Sequence, residues 1–570
     1  MPTLSELQSR FFVPDVGTGG AFDADSNVEP IIDGVNYFRA MANSIELTKT
    51  AKDFVYITTW EIDLDWDLQG NVPPIKTLGN LLVEKAALGV DVRIILNGHL
   101  VYIDIGEVDF GPIAFPLMPL FVHNYKAAQR LRKIRPVGSL NAPMAGRVLF
   151  DWSGANLSGS QHQKLAIVRS EGEMVAYVGG MNLTAKFRDD SPHVERPYPK
   201  GDKAMWGWHD IGCCVRGEAV RGVWENFTAR WTEAATLPNA TRVDVVPYFA
   251  GQWRHRIVYH DVNPKQTQLP ASEVFDDPTA SIVTTQSVRV LRSRFTFKRP
   301  DPRTLGISGE PWSLPPTDQA LTEIFTVYRR AIASAQRYIY IEDQFLDDEI
   351  HPERLPDNYS LYGALGDALA ANPTLKVILV GSGRADPDDF MLPWNMGYKN
   401  RKLTSEIKND VLGRVPTAQK LNLAVWRLEN ATVHSKILMI DDQFLAIGSA
   451  NFQARSMYGV DSELQVAMVT TDDTILDFRT SLWSEHLRIL DDPLLQQARD
   501  TVRDLDRGLG IWRQGWYPAD PDLWFANGNP AGVTGHGALA LVGPTEADVD
   551  RLAVENSEPV DDSHGGGRTR

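Results

Sequence analysis

Two short segments of the sequence each carry a histidine and a lysine with the same spacing. The first contains His162 and Lys164, and the second contains His434 and Lys436. An apolar run follows each pair, LAIV or ILMI, and indicates a short buried strand. Residues two apart on a strand face the same way, so each histidine should project beside its lysine. An imidazole can attack phosphorus or pass a proton, and an ammonium group binds phosphate oxygens.

The two segments are copies of one pattern. Each ends in a glycine-containing turn and an asparagine, VGGMN ending at Asn182 and IGSAN ending at Asn451. The two histidines are 272 residues apart, and the spacing from histidine to asparagine is 20 residues in the first copy and 17 in the second. A lone His near a Lys is more often structural, whereas an ordered repeat of all these parts indicates an internal duplication with a shared function.

The copies differ at the residue seven positions after the histidine. The second copy has Asp441 there and the first has Arg169. An odd spacing along a strand places this residue on the face opposite the histidine. We therefore expect Asp441 to support the scaffold, and Arg169 to affect local structure more than chemistry.

At these residues the chain resembles the phospholipase D superfamily, whose signature is two H-x-K-x4-D motifs, and more narrowly the eukaryotic-type phospholipases D. The resemblance runs from about Phe54 to about Leu487. Arg169 stands where the family has Asp, and Asn182 stands where many plant-type members have Asp. The segments that carry the resemblance are HQK with VGG-x-N, WHDIGCCVRGEAV, ENFTARW, YIEDQFL and HSKILMIDDQFLAIGSANFQARSMYGVDSE.

The resemblance implies roles for the site residues. His162 is the expected nucleophile, which forms a phosphohistidine, and His434 is the expected general acid and base. Asp210 and Glu463 match family positions that orient the histidines, but the sequence leaves open which carboxylate pairs with which histidine. Lys164, Lys436, Asn182 and Asn451 are predicted by their chemistry to bind the phosphate oxygens. Trp206 and Trp208 are predicted to line a substrate channel or, alternatively, to pack as half-buried core, and Ser449 is predicted to bind substrate. This chemistry requires no cofactor and no metal ion.

The same order of predicted elements precedes both copies. A strand from Phe54, a helix near 78–89 and a strand at 90–96 recur as YIYIEDQF, YGALGDALAAN and LKVILVG. The β-α-β order predicts an α/β fold with parallel strands. We predict two similar α/β halves that share one active site, at 1–262 and 320–490, with a connecting segment at 263–319, a loop-rich C-terminal extension at 491–555 and a disordered tail at 556–570.

Composition limits the classes of protein that fit. The 570 residues include 43% hydrophobic and 23% charged side chains, as in soluble globular proteins, and carry a net charge of −16 that disfavours a nucleic-acid binder. The only cysteines, Cys213 and Cys214, are adjacent, so they suit neither a loop-closing disulfide nor a zinc site. The sequence shows no signal-peptide pattern and no run of 18 apolar residues. We expect a monomer that is cytoplasmic or peripheral to a membrane and whose partner is a phospholipid or membrane surface.

An apolar segment at 110–122, FGPIAFPLMPLFV, precedes the basic residues Lys126, Arg130, Arg132 and Lys133. Its three prolines predict a loop followed by a basic helix. Two interpretations remain open. The segment could contact a lipid surface, with its apolar side chains in the headgroup boundary, or it could pack on its own domain.

Three functions are compatible with these observations. The first is a phosphodiesterase that hydrolyses glycerophospholipids to phosphatidate and a headgroup alcohol, with transfer to another alcohol as a side activity. The second is a nuclease or another non-lipid phosphodiesterase of the same superfamily, which would need a basic groove. The third is a non-catalytic lipid-binding homologue, in which Arg169 marks decay of the first copy. Retention of His162, Lys164 and Asn182 weighs against the third.

Overall fold

A computed structural model describes most of both predicted halves. Trp206, the apolar residues 110–118 and the predicted tail at 556–570 lie outside the described residues. The described residues are 2–22, 26–69, 76–98, 119–133, 144, 146–151, 160–191, 193, 196–197, 204–205, 207–236, 239–247, 253–260, 269, 285–295, 320–346, 360–382, 407–428, 431–458, 461–486, 496–514 and 539–541.

The strands and helices are numbered here in chain order. The strands are β1 (Thr18–Phe22), β2 (Ser26–Ile32), β3 (Phe54–Thr59), β4 (Asp91–Asn97), β5 (Val148–Asp151), β6 (Leu165–Ser170), β7 (Glu173–Gly179), β8 (Arg196–Pro197), β9 (Ala204–Met205), β10 (Trp208–His209), β11 (Ile211–Gly217), β12 (Asn239–Pro247), β13 (Trp253–His260), β14 (Gln286–Phe295), β15 (Ala320–Thr322), β16 (Tyr338–Asp343), β17 (Lys376–Ser382), β18 (Leu423–Leu428), β19 (Thr432–Val433), β20 (Lys436–Ile440), β21 (Phe444–Gly448), β22 (Glu463–Thr470) and β23 (Leu539–Leu541). The α-helices are α1 (Leu4–Phe11), α2 (Gly34–Leu47), α3 (Leu78–Ala87), α4 (Pro119–Lys133), α5 (Val220–Ala235), α6 (Glu323–Ala333), α7 (Leu361–Ala371), α8 (Ala454–Met457), α9 (Thr474–His486), α10 (Gln496–Arg503) and α11 (Leu505–Gln514).

Two large sheets have matching strand orders. The first is β2-β11-β7-β6-β3-β4-β5, and the second is β1-β14-β22-β21-β20-β16-β17-β18-β23, with β15 paired to β14. In each sheet three parallel strands, β3-β4-β5 or β16-β17-β18, are continued by antiparallel strands that begin with β6 or β20. The order of pairing therefore matches β3 with β16, β6 with β20, β7 with β21 and β11 with β22. The predicted fold of two similar α/β halves is confirmed.

The hydrophobic core lies on both faces of each sheet. Along β16, Tyr338 and Tyr340 enter a central cluster that includes residues of both halves, whereas Ile339 and Ile341 enter a cluster on the outer face of the second half. This alternation follows from the period of two along a strand. Each fully buried aliphatic or aromatic side chain contributes roughly 1.5–3 kcal/mol. The shared central cluster fixes the two halves against each other.

The N-terminal residues join the second half, although 1–262 was predicted to form the first. Helix α1 buries Leu7 and Phe11, and the ring of Phe11 lies 5.4 Å from that of Phe444. Strand β1 pairs with β14. A capping box between Thr3 and Glu6 starts α1. That local signal is visible in the sequence, but the helix's packing partner is more than 400 residues away in the chain.

Two further segments differ from the predicted organisation. Strand β14 lies within the predicted connecting segment, yet it pairs with β22 and belongs to the second sheet. The described part of the C-terminal extension is largely helical rather than loop-rich, and it buries Val502 and Trp512 in the central cluster. The remaining domain limits stay predictions.

Helix α4 begins at Pro119, inside the apolar segment rather than after it. Proline suits the first turn of a helix because its missing N–H needs no partner there. The guanidinium of Arg132 is directed inward and donates a hydrogen bond at 3.1 Å to the carbonyl of Val148, so it supports packing on β5. Among the helices that the structure describes, none has the length and apolar character needed to cross a bilayer.

Candidate functional site

A short backbone pairing between the halves lies directly before the first site histidine. Gln161 forms a parallel bridge with Ser462, and the N–H of His162 donates to the carbonyl of Ser462 at 3.0 Å. The next residue on the second strand is Glu463. Nδ1 of His162 lies 2.9 Å and 3.0 Å from the two carboxylate oxygens of Glu463. The first half's histidine is therefore paired with a carboxylate of the second half.

The same arrangement recurs with the halves exchanged. Strands β10 and β19 pair in parallel and place His209 opposite Val433. The N–H of His434 donates to the carbonyl of His209 at 2.7 Å, and Nδ1 of His434 lies 2.7 Å from Oδ2 of Asp210. A Cβ on Gly180 would lie 2.5 Å from Oδ1 of Asp210, so the glycine is needed for this close approach.

The proton positions follow from the carboxylates. A carboxylate accepts hydrogen bonds, so Nδ1 of each histidine is the donor and Nε2 keeps its lone pair. Glu463 is fully buried and also accepts hydrogen bonds from the hydroxyls of Ser449 at 2.6 Å and Ser456 at 2.7 Å. Ser449, predicted to bind substrate, is fully buried and is engaged with this carboxylate. Sequence reasoning missed Ser456, although it lies within the quoted second-half segment.

Both lysines lie beside their histidines, although the histidines come before strands β6 and β20 rather than within them. Nζ of Lys164 donates to the carbonyl of His162 at 2.6 Å, and Nζ of Lys436 donates to the carbonyl of His434. Lys436 also donates to Oε1 of Gln344 at 3.0 Å, a residue of the YIEDQFL segment that was not predicted as part of the site.

The two asparagines of the repeat are each only 2% exposed. The side-chain oxygens of Asn182 and Asn451 are buried without a hydrogen-bond partner. A buried amide oxygen without a donor is costly, so each Oδ1 would accept a hydrogen bond from a hydroxyl or water that enters the site, whereas only the amide N–H groups could donate to a phosphate oxygen.

Burial controls the charge of the site. It lowers the pKa of His162 and holds the pKa of His434 well below its ordinary value. Burial also lowers the pKa of Lys436, lowers that of Lys164 to about 7 and raises that of Asp210 to about 7. Both imidazoles are therefore neutral at neutral pH, with lone pairs available on Nε2.

Aromatic rings pack around the imidazoles. The rings of Trp208 and Phe187 lie 5.2 Å and 4.7 Å from the imidazole of His434, and Trp60 lies 6.0 Å from that of His162. Trp208, predicted to bind substrate, is only 4% exposed. It therefore packs on His434 rather than facing an open channel. Sequence reasoning did not single out Phe187 or Trp60.

Asp441 lies away from the histidine and lysine of its motif. Its carboxylate accepts backbone N–H groups from Gln336, Arg337 and Tyr338 at 2.7–2.9 Å and forms an ion pair with Arg10. It thus holds the turn before β16 and anchors α1, which agrees with the expected scaffold role.

In the first half the corresponding turn is held differently. Asp53 accepts the backbone N–H groups of Lys49 and Thr50, each at 2.8 Å, directly before β3. Arg169 lies near the C-terminal end of β6, where it pairs with Phe54, and its side chain is half-buried. The first half therefore does not depend on a carboxylate at position 169.

We expect Arg169→Asp to change kcat/KM by less than about threefold and stability by about 0.5 kcal/mol or less, as is usual for sites without buried contacts. The matched variant Asp441→Asn should lower stability by about 2 kcal/mol or more, because it weakens three hydrogen bonds to a charged acceptor and an ion pair. Thermal unfolding and steady-state kinetics of both variants check this. Loss of activity in a stable Arg169→Asp protein would contradict the strand-parity argument.

Two groups of histidines and carboxylates among the described residues lie close enough to hold a metal ion, and neither contains His162 or His434. The expectation of metal-free chemistry at the paired histidines stays a prediction. The groups comprise Asp33, His193, His209 and Glu485, and His209, Glu342 and His486.

Comparisons with known proteins add the following. A sequence profile of the family described as "Phospholipase D" matches residues 362–504. The chain is 24% identical to phospholipase D beta 1 of Arabidopsis thaliana, over 82% of this chain and 50% of that protein. It is 25% identical to phospholipase D alpha 2 of Oryza sativa subsp. japonica, over 80% of this chain and 64% of that protein. The chain thus spans about half to two thirds of these relatives. Among solved structures, phosphatidylserine synthase of Haemophilus influenzae Rd KW20 has a TM-score of 0.48 and 11% identity, over 89% of this chain and 99% of that one.

Proposed function

We propose, from the premise that this chain is a member of the phospholipase D superfamily, that it is a phosphodiesterase acting on glycerophospholipids. It would release phosphatidate and a headgroup alcohol, and would also transfer the phosphatidyl group to other alcohols. One observation supports this proposal: two imidazoles, each paired with a buried carboxylate of the other half, lie together with two lysines, and burial lowers the pKa of both imidazoles.

In the first step, Nε2 of His162 attacks phosphorus and the bond from phosphorus to the headgroup oxygen breaks. Glu463 orients the imidazole and stabilises its developing charge. His434 protonates the departing alcohol. In the empty site the pKa of His434 is low, but a bound phosphodiester brings a negative charge that favours its protonated form.

In the second step, water or another alcohol gives its proton to His434 while its oxygen attacks phosphorus. The phosphorus–nitrogen bond to His162 then breaks, which frees phosphatidate or the transfer product and restores both histidines. Lys164, Lys436 and the two asparagines of the repeat, Asn182 and Asn451, would bind the non-bridging oxygens, where charge shifts during transfer.

The decisive assay measures release of phosphatidate and headgroup from mixed liposomes by the wild-type chain, with and without added ethanol. We expect phosphatidate in water and phosphatidylethanol when ethanol is present. Neither product should form with His162→Ala.

The same preparations should be tested on single-stranded and duplex DNA. Cleavage of DNA without release of phosphatidate would favour a nuclease. Lipid binding without any turnover would favour a non-catalytic homologue. Either result would refute the proposed lipid hydrolysis.

The pH profile of kcat/KM should fall on the alkaline side near pH 7, because Lys164 loses its charge as the pH rises through its lowered pKa of about 7. The acid limb should also lie near pH 7, because Asp210, whose pKa burial raises to about 7, must be ionised to accept the hydrogen bond from His434. His162 should not set this limb, because burial lowers its pKa and keeps it neutral to lower pH. Lys164→Arg should move the alkaline limb upward, since a guanidinium stays charged. An unchanged alkaline limb in this variant would show that another group sets it.

A further inference from the structure

A second cluster of ionisable side chains is buried behind the paired histidines and draws on both halves. Asp33, His193 and His209 come from the first half, and Glu485 comes from the second. Their exposed fractions are 2%, 4%, 0% and 6%. Each offers one nitrogen or oxygen atom, and these four atoms all lie within 4.8 Å of one another.

Three distances between these atoms lie at or just below the edge length of a zinc coordination tetrahedron. Oε1 of Glu485 lies 3.1 Å from Nε2 of His193 and 3.1 Å from Nδ1 of His209. Nδ1 of His209 lies 3.3 Å from Oδ1 of Asp33. Zinc bonds to nitrogen and oxygen of roughly 2.0–2.2 Å place tetrahedral ligands about 3.3–3.6 Å apart.

The far nitrogen of each histidine faces a further carboxylate. Nδ1 of His193 lies 2.7 Å from Oδ2 of Asp189, and Nε2 of His209 lies 2.8 Å from Oε1 of Glu342. Metal-binding histidines almost always donate their other N–H in this way, which fixes the tautomer and directs the remaining lone pair at the metal. His193 has this arrangement with Asp189, whereas Nε2 of His209 is close to Glu342 without the geometry of a hydrogen bond.

Charge also bears on the cluster. The buried carboxylates of Asp33, Asp189, Glu342 and Glu485 lie around His193 and His209 and pair with them. Unpaired buried charges are costly, so these carboxylates need either protonated imidazoles or a bound cation beside them. A divalent cation would take the place of the imidazole protons, and binding it would release protons.

We propose that Asp33, His193, His209 and Glu485 bind one Zn²⁺ ion that fastens the two halves together. Two imidazole nitrogens and two carboxylate oxygens suit zinc, whereas calcium and magnesium prefer oxygen ligands alone. Four protein ligands close the coordination sphere, as in structural zinc sites.

The ion would act on the reaction through position alone. His209 directly precedes Asp210, and its carbonyl accepts the N–H of His434. Zinc would thus hold His209 and the adjacent Asp210 in position. The reacting phosphate would lie at His434, the partner of Asp210, and not at the zinc ion.

The test starts with the wild-type chain, purified without a metal-affinity tag from cells grown with added zinc. Elemental analysis should find about one zinc per chain, and X-ray absorption should show only nitrogen and oxygen ligands near 2.0–2.1 Å. A strong chelator should lower the melting temperature, and added Zn²⁺ should restore it. A wild-type chain that holds no metal, and whose melting temperature responds to neither chelator nor zinc, would overturn the proposal.

Variants locate the ion. His193→Gln and Glu485→Gln should each lose bound zinc. Two controls should keep it: Cys213→Ala with Cys214→Ala, which removes the thiols, and His434→Ala, which removes a histidine outside the cluster. Zinc lost from a control and kept in the cluster variants would place the ion elsewhere and refute the proposal. His434→Ala should lose turnover while keeping zinc, so this result is independent of the proposed activity. If the cluster variants fail to fold, the zinc content and X-ray absorption of the wild-type chain decide whether the proposal stands.

Discussion

His162→Ala and His434→Ala should each lower turnover on the order of 10⁴-fold or more, because one removes the proposed nucleophile and the other the proposed acid and base. The two losses should differ in kind on a soluble phosphodiester with a nitrophenolate leaving group, which departs without being protonated. His434→Ala should then release one burst of nitrophenol and accumulate phosphoenzyme, since attack by water lacks its base. His162→Ala should show neither.

A matched control is His123→Ala, which removes a histidine that is 46% exposed and lies outside the pairs. It should keep activity within about twofold of wild type, as expected for an exposed position. The readouts are burst kinetics, acid-labile phosphate on the protein and melting temperature. Burst and phosphoenzyme in His162→Ala, but not in His434→Ala, would reverse the assignment of nucleophile and acid.

Glu463→Gln and Asp210→Asn should each reduce kcat by roughly 10²–10⁴-fold, because a carboxamide can no longer hold the histidine in the tautomer that leaves Nε2 free. Each substitution should slow the step that depends on the histidine of the other half. Glu463→Gln should slow formation of the phosphoenzyme, which depends on His162, whereas Asp210→Asn should slow its hydrolysis, which depends on His434.

Two further variants sharpen this test. Ser449→Ala should cause a smaller loss than Glu463→Gln, because it removes one hydrogen bond to Glu463 but keeps the carboxylate. Glu84→Gln replaces an exposed carboxylate that pairs with Lys76 and should leave kinetics unchanged. If Glu463→Gln accumulated phosphoenzyme and Asp210→Asn did not form it, the carboxylates would act within their own halves and the cross-half pairing would be refuted.

The cross-half pairs also bear on the organisation of the chain. Each half supplies one histidine and the carboxylate that orients the other half's histidine. The central hydrophobic cluster includes residues of both halves. A separated half would hold a histidine without its carboxylate and an exposed apolar face, so the duplication is expected to work only as a pair.

The sequence alone was sufficient wherever a property depends on neighbouring residues. The apolar run after Lys436 predicted a buried strand, and β20 (Lys436–Ile440) is that strand, although it begins at the lysine and leaves His434 just before it. The β-α-β order predicted the parallel strands β16 and β17, and the repeat predicted two similar sheets. The capping box of Thr3 and Glu6 at the start of α1 is likewise a local signal.

The tertiary structure decided which distant residues meet. The register of Gln161 on Ser462 determines that His162 faces Glu463, and no local rule gives the register of two strands from different halves. The position of α1 on the second half depends on the same kind of long-range packing.

The second cluster shows this limit most clearly. Asp33 and Glu485 are separated by 452 residues, and neither shares a spacing motif with His193 or His209. The pairing of β2 with β11 brings Asp33 near His209, and helix α9 supplies Glu485, because folding satisfies buried charge and apolar area across the whole chain at once. A pattern of neighbouring residues identifies the histidines of the repeat. Packing between the halves decides which carboxylates lie beside them.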